Sequence, residues 1–381
     1  MRILYLLSLM CFCAGTCIQA QSIVHDGLTR TYSVYVPAIY DSTQATPLVF
    51  NLHGYSSAGW MQELYGDFRS IADTANFIIV HPDGTRNAID NQTFWNAGFM
   101  PASVDDVGFI EALIDSLSEK YTIDSNRIYS TGMSNGGYMS YELACQSKRF
   151  AAIASVTGSM TKKTKNNCTP QRAVPVMQIH GTADSIVMYE GDSLINSLHI
   201  DTTVRYWVAN NICDTSPRVS IVPDIDRTDG ANAVHYVYQN GTNGATVEFL
   251  KVFGGGHTWP GASYNIGVTC KDFSASEEIW RFFSQYTLNQ FHTTATEKVQ
   301  NRHVSDLRVY PNPSSSELIL SLEELPIKSV RLYDLNGRLR IAKDNINQTN
   351  TSIAIQDLPK GLYLLCVNNG ITLQKQQVIK Q

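Results

Sequence analysis

One stretch constrains the fold of this chain more than any other: Arg127-Ile128-Tyr129-Ser130-Thr131-Gly132-Met133-Ser134-Asn135-Gly136-Gly137-Tyr138. A β-branched and aromatic run stops at Gly132 and helical character begins just after Ser134, so the serine falls on a sharp strand-to-helix turn. Small residues are needed there because neighbouring backbones pass close by, and the serine is held in a strained conformation with its hydroxyl raised above the sheet. Gly132, Gly136 and Gly137 meet that need, and Met133, next to the serine, is expected to face a substrate.

Around this turn, apolar runs alternate with helical patterns. Pro47–Leu52, Phe77–Val80, Ala151–Val156, Val174–Ile179 and Thr246–Val252 read as strands, with helices expected over 67–74, 105–121, 203–210 and 274–283. Strand alternating with helix predicts a mostly parallel sheet covered by helices, an α/β fold. In such sheets, functional groups gather at the carboxyl ends of the strands. Asp184 follows the strand ending at Ile179, and His257 follows the strand ending at Val252, in the glycine-rich loop Gly254-Gly255-Gly256. The chain order Ser134, Asp184, His257 is that of α/β-hydrolases, in which a carboxylate orients the histidine that activates the serine. Asp192 and Asp201 lie deeper in a polar loop, and His180 sits at the strand end, where a structural hydrogen-bonding role is expected.

The run ending at Leu52 continues as His53-Gly54-Tyr55, and the Tyr55 amide is expected to join that of Asn135 in an oxyanion hole. The long loop Thr85–Ser103 carries Trp95, Asn96, Phe99 and Met100 and is expected to wall the substrate site, with Trp259 of the histidine loop as a further contact. Asp105-Asp106 begins a helix and reads as a cap before a metal ligand.

The rest of the chain sets bounds. With 381 residues, a large domain and a smaller one are expected. A net charge of -5 with 17% charged residues gives no basic surface, so nucleic acid is excluded as an expected partner. Residues 1–20 have the layout of a secretory signal peptide, and no later run is long enough for a transmembrane segment. Export permits disulfides, and four of the cysteines beyond residue 20 lie in the large domain, where three pairings are open. Cys145–Cys168 and Cys213–Cys270 are the expected pairs, the spacings giving no zinc motif, and Cys366 reads as a buried small hydrophobe. The expected division is a hydrolase domain over 21–288, a polar linker over 289–305, and short alternating strands over 306–381 forming a small β-sandwich.

Seven motifs, Leu52-His53-Gly54, His81-Pro82-Asp83-Gly84, Trp95-Asn96-Ala97-Gly98, Asp105-Asp106-Val107-Gly108-Phe109-Ile110, Gly132–Gly137, His180-Gly181-Thr182-Ala183-Asp184 and Gly256-His257-Thr258-Trp259-Pro260-Gly261, together resemble the secreted polyhydroxybutyrate depolymerase and feruloyl esterase group of α/β-hydrolases. The resemblance implies a serine carboxylic-ester hydrolase without a cofactor, with Ser134 as nucleophile, Asp184 as acid and His257 as base. The tail is similar to the sorting domain of the type IX secretion system through Val309-Tyr310-Pro311-Asn312-Pro313, Leu332-Tyr333-Asp334-Leu335-Asn336-Gly337 and Leu358-Pro359-Lys360-Gly361-Leu362-Tyr363. It implies export to the medium or the cell surface through secretion machinery. Polymer-degrading depolymerases usually carry a separate substrate-binding module, and sorting occupies that place here, so plant cell-wall phenolic or acetyl esters or hydroxyalkanoate oligomers are the expected substrates. The competing expectation is a non-catalytic glycan-binding or adhesion protein on a hydrolase fold, which a fluorophosphonate would leave unlabelled.

Overall fold

The computed structural model describes residues 21–98, 103–290, 307–322, 326–334, 339–369 and 373–381. The expected signal segment, Phe99, Met100 and most of the expected linker lie outside them. The chain forms two compact units, Met1–Thr293 and Thr294–Gln381, divided within the stretch read as a linker.

In the first unit a hairpin, β1 (Gln21–His25) and β2 (Leu28–Tyr35), precedes the central strand β3 (Thr46–Leu52). Two short helices, α1 (Gly59–Tyr65) and α2 (Arg69–Ala75), lead to β4 (Ile78–Pro82), followed by a hairpin of two short strands, β5 (Thr85–Arg86) and β6 (Thr93–Phe94). Helix α3 (Asp106–Lys120), strand β7 (Ile123–Gly132) and helix α4 (Asn135–Gln146) come next, then β8 (Ala152–Val156), α5 (Lys162–Asn167) and β9 (Val176–Gly181). Helix α6 (Ile200–Asn210), strands β10 (Arg218–Ile221), β11 (Asn232–Tyr238) and β12 (Val247–Phe253), and helix α7 (Ala275–Phe283) complete it. The ten-stranded sheet has the order β1-β2-β4-β3-β7-β8-β9-β12-β11-β10. Its centre, β4 to β12, is parallel, and antiparallel strands close both edges.

The sheet is covered on both faces, and alternation along each strand sorts its side chains. Leu48, Phe50 and Leu52 of β3 pack into one core with Phe109, Leu113 and Trp207 from the helices α3 and α6. Val49 points the other way, into a core with Phe68, Ile279 and Phe283. Every residue of β3 is buried, which is why its sequence reads as a continuous apolar run and not an alternating one.

Helix α3 shows how the acidic pair divides. Asp105 is the N-cap, accepting from the Gly108 amide at 2.8 Å. Asp106 is not part of the cap: it is buried, 2.7 Å from the Arg30 guanidinium, and it accepts from the Asn96 amide at 2.7 Å. That pairing satisfies a charge that burial alone would drive toward its neutral form.

The second unit has two antiparallel sheets. One holds β13 (Arg308–Tyr310), β14 (Glu317–Ser321) and β17 (Asn350–Ala354), in that order. The other has the order β16-β15-β18-β19, formed by β15 (Ser329–Asp334), β16 (Leu339–Lys343), β18 (Gly361–Asn368) and β19 (Leu373–Lys380). Leu318, Leu320 and Ile353 of the first share a core with Val330, Leu332, Leu365 and Val378 of the second, which makes a small β-sandwich.

Of the expected disulfides, Cys145–Cys168 is present, tying the end of α4 to the residue after α5. The pair Cys213–Cys270 is not. Cys213 packs in the core on one face of the sheet and Cys270 in the core on the other, so the sheet separates them. Burial pushes their thiols up, to about 11 and about 12.

Candidate active site

Four loops leave the carboxyl ends of the parallel strands β3, β7, β9 and β12 and carry Tyr55, Ser134, Asp184 and His257. Ser134 has φ 54° and ψ -120°, a conformation that non-glycine residues rarely adopt and that costs about 1–3 kcal/mol. The packing of the turn imposes it. A Cβ at Gly136 would stand 2.1 Å from the Leu52 carbonyl oxygen, and one at Gly132 would stand 2.6 Å from it, so only glycine lets β7 and α4 approach β3 this closely. The Ser134 amide is engaged with the Val156 carbonyl at 2.8 Å, which leaves its side chain as the part of the residue facing the cleft.

Asp184 is buried and fully engaged. Its Oδ1 accepts from the amides of Ile186 and Val187 at 2.9 and 2.8 Å, and its Oδ2 lies 2.8 Å from Nδ1 of His257. A carboxylate only accepts, so Nδ1 of His257 carries the proton and Nε2 of the neutral ring keeps its lone pair. His257 and Ser134 line one cleft of about 390 Å³. Among the described residues the Ser134 hydroxyl has no hydrogen-bond partner, a looseness that serine–histidine pairs commonly show before substrate arrives. His180 touches the same carboxylate at 3.5 Å, but its Nε2 donates to the Val187 carbonyl at 2.8 Å and its Nδ1 accepts from Gln178 at 3.1 Å. Complete burial lowers its pKa to about 4, so it is neutral and holds the acid loop in place.

Tyr55 follows Gly54, whose loop lies beside the serine, Asn135 follows the serine in the chain, and neither amide donates to a group among the described residues. The Gly54–Tyr55 peptide is oriented by His53. The Nε2 of that ring accepts from the Gly84 amide at 2.8 Å, so its Nδ1 donates to the Gly54 carbonyl at 2.7 Å. Carbonyl and amide point in opposite directions across a trans peptide, so fixing the Gly54 oxygen also aims the Tyr55 N–H. The loop stands next to the serine: a Cβ on Gly54 would be 3.4 Å from Ser134 Cβ. Burial lowers the His53 pKa, keeping that ring neutral.

Of the expected substrate contacts, Met133 lines the cleft. Trp95 and Trp259 do not. Trp95 is fully buried, with its indole N–H on the His53 carbonyl at 3.0 Å. Trp259 is buried against Phe68, with its indole donating to Ser276 at 3.1 Å. Nor do the described residues of the loop from Thr85 wall the cleft. The walls come from two places that the strand-and-helix pattern does not single out: α1, with Trp60, Met61, Leu64 and Tyr65, and the segment after His257, with Tyr264 and Ile266. Trp60 is 59% exposed and Ile266 58%, so large apolar side chains stand in solvent around the mouth. The sequence did hold a trace of the first, in aromatic and aliphatic residues packed into a short segment after a glycine.

Among the described residues, two groups of three side chains could hold a metal: His25, Asp26 and Asp105, and Asp229, Cys270 and Asp272. Asp105 caps α3, and Asp272 already accepts from the amides of Ile225 and Asp226. Neither group lines the cleft.

Residues 38–210 match the Phospholipase/Carboxylesterase family. The acetyl xylan esterase of Aspergillus awamori superposes with a TM-score of 0.50 at 13% identity, over 70% of this chain and 99% of that one, a likeness of fold. The protein is a carboxylic ester hydrolase built on the α/β-hydrolase fold. Feruloyl esterase B of Piromyces equi is 27% identical over 60% of this chain and 42% of its own length. The bifunctional acetylxylan esterase/xylanase of Neocallimastix patriciarum is 24% identical over 69% of this chain and 34% of its own. This chain thus spans less than half of either relative. Residues 308–381 match the Secretion system C-terminal sorting domain. The first unit is similar to feruloyl-esterase-like carboxylesterases, and the sorting domain over residues 308–381 marks the protein as secreted or cell-surface.

Proposed function

We propose that the protein cleaves carboxylic esters through Ser134, His257 and Asp184 by way of an acyl-enzyme. His257 Nε2 takes the hydroxyl proton as Ser134 Oγ attacks the ester carbonyl, and the amides of Tyr55 and Asn135 receive the oxyanion. The tetrahedral species collapses as His257 returns its proton to the departing alcohol. Water then enters, gives a proton to His257 and releases the acid by the same path. Asp184 holds the ring and stabilises the imidazolium in both halves. The observation that carries this reading is the 2.8 Å contact of Asp184 with His257 at the rim of the cleft onto which a strained Ser134 opens.

The cleft also bears on the substrate. A volume of about 390 Å³ bounded by Trp60, Met61, Tyr65 and Tyr264 suits a planar, largely apolar acyl group better than acetate. Hydroxycinnamoyl esters of cell-wall polysaccharide fit that description, in line with the name of the Piromyces equi relative. Acetylated xylan and hydroxybutyrate oligomers are the comparison substrates.

Ser134→Ala is expected to lower turnover of a p-nitrophenyl acyl ester by on the order of 10⁴–10⁶ with the circular dichroism spectrum unchanged. Full activity in that variant would end the proposal. Side-by-side kinetics on methyl ferulate, acetylated xylan and hydroxybutyrate oligomers decide the acyl group, with the highest kcat/KM expected on the ferulate.

A further inference from the structure

The hairpin of β5 and β6 has no place in the reaction just described, yet its side chains reach both sides of the oxyanion loop. Tyr55, whose amide is assigned above to the oxyanion, donates its phenol to Asp90 Oδ2 and accepts from Asn87 Nδ2 at 2.9 Å. The Ser56 amide donates to the Thr93 carbonyl at 2.8 Å, and the Thr93 hydroxyl donates to the Ser57 carbonyl at 2.5 Å. Two residues further on, the Trp95 backbone brackets the Asn135 side chain. The Trp95 amide donates to Asn135 Oδ1 at 2.7 Å, and Asn135 Nδ2 donates to the Trp95 carbonyl at 3.0 Å. The Trp95 indole holds the His53 carbonyl between them.

We propose that the strap from Asn87 to Trp95 is a positioning device that fixes the spacing of the two oxyanion-hole amides, with Asp90 and Asn87 as its anchor on Tyr55. The inference rests on the oxyanion role proposed for Tyr55 and Asn135. Its physical basis is that a donor pair preorganised for a developing negative charge loses effect when either member can swing, even though both remain present. Tyr55 lies only three residues past a strand and is half-buried, so packing alone holds it only in part. The phenol bonds do that work from outside the cleft. Asp90 lines no part of the cleft, and its Oδ1 accepts from Asn87 Nδ2 at 2.6 Å and from the Gln92 amide at 3.1 Å, so it reaches the site through Tyr55 and the turn of the strap. Its turn is itself closed: Asn87 Oδ1 accepts from the amides of Ile89 and Asp90 at 2.8 and 3.1 Å, which presents the carboxylate as a fixed acceptor.

The test uses the full chain with Asp90→Ala, Asp90→Asn, Tyr55→Phe, the double variant Asp90→Ala/Tyr55→Phe, and Ser134→Ala. On p-nitrophenyl acetate, Asp90→Ala and Tyr55→Phe are expected to lower kcat about tenfold with KM within twofold, a fraction of the 10²–10³ lost with a whole donor. The double variant should lose less than the product of the two single losses, because the bond between phenol and carboxylate is common to both. Asp90→Asn keeps an acceptor and should recover most of the rate. An aryl boronic acid, which forms the tetrahedral adduct, should bind about tenfold more weakly to Asp90→Ala, while the product acid binds as before. Unchanged kcat in Asp90→Ala beside an inactive Ser134→Ala overturns the strap alone. An equal loss of boronate and product binding overturns it too, since that marks general loosening. An active Ser134→Ala removes the oxyanion hole and the strap together.

Discussion

At Ser134 and its neighbours, local sequence and tertiary packing agree, because a glycine-flanked serine at a strand end has few other conformations available. The tryptophans behave differently. Trp95, Trp259 and Trp60 carry the same side chain, and the first two stand in motifs while the third does not. The structure buries the first two and leaves Trp60 in solvent at the cleft mouth. Whether an indole packs beneath a loop or beside a ligand depends on which segments close over it, and residue type carries no such information. Trp60→Ala and Tyr264→Ala are therefore expected to raise KM for an aryl ester about tenfold, the worth of about 1.4 kcal/mol of aromatic contact, with little change in kcat. Trp95→Ala should instead destabilise the fold by about 3–5 kcal/mol, since it empties a core position. Michaelis–Menten kinetics beside a melting curve separate the two classes. An unchanged KM in both mouth variants would move the acyl site elsewhere.

Among the elements, the strands β3, β4, β8 and β9 are legible because each is buried on both faces and so reads as a mostly apolar run, and β12 is buried at all but Lys251 and Phe253. Helix α1 is not, because it has seven residues, no side-chain cap and a mostly exposed outer face. Strand β10 is fully exposed at a sheet edge and presents no pattern to detect. Cysteine pairing divides on the same ground. Cys145 and Cys168 lie 23 residues apart on neighbouring elements, whereas Cys213 and Cys270 are kept apart by a sheet whose position no spacing reveals. Opening the 145–168 bridge with Cys145→Ser/Cys168→Ser releases a loop of that length in the unfolded chain. The cost is about 3 kcal/mol, or about 5–10 °C in Tm, with kcat nearly intact because the bridge lies behind α4 and away from the cleft. A Tm within a degree of the parent would show that the bridge contributes nothing to stability.

For the molecule as a whole, acid stability follows from histidines buried neutral. Burial takes His180 to about 4 and His81 to about 3 from an ordinary 6.5. Between those values and 6.5 the unfolded chain binds protons that the folded chain refuses, so stability rises with pH across the window. It falls as the solution is acidified below about 6.5, by about 1.4 kcal/mol per pH unit for each histidine at most. Urea unfolding of the hydrolase unit at pH 7, 6 and 5 should show the midpoint dropping at each step. A flat profile from 7 to 5 would mean that the two rings find water or a partner on protonation. The amino-acid sequence alone determined the alternation that makes a parallel sheet, the strained serine turn, the order of serine, acid and histidine, and the separate β-rich tail. Each of these is written in spacing and residue size within a short window. Only the tertiary structure decided which aromatic rings meet the cleft, which cysteines are close enough to bond, and which hairpin bonds to the loop carrying Tyr55. Those depend on distances between segments remote in the chain, and such distances exist only once the sheet has set every loop at a common edge.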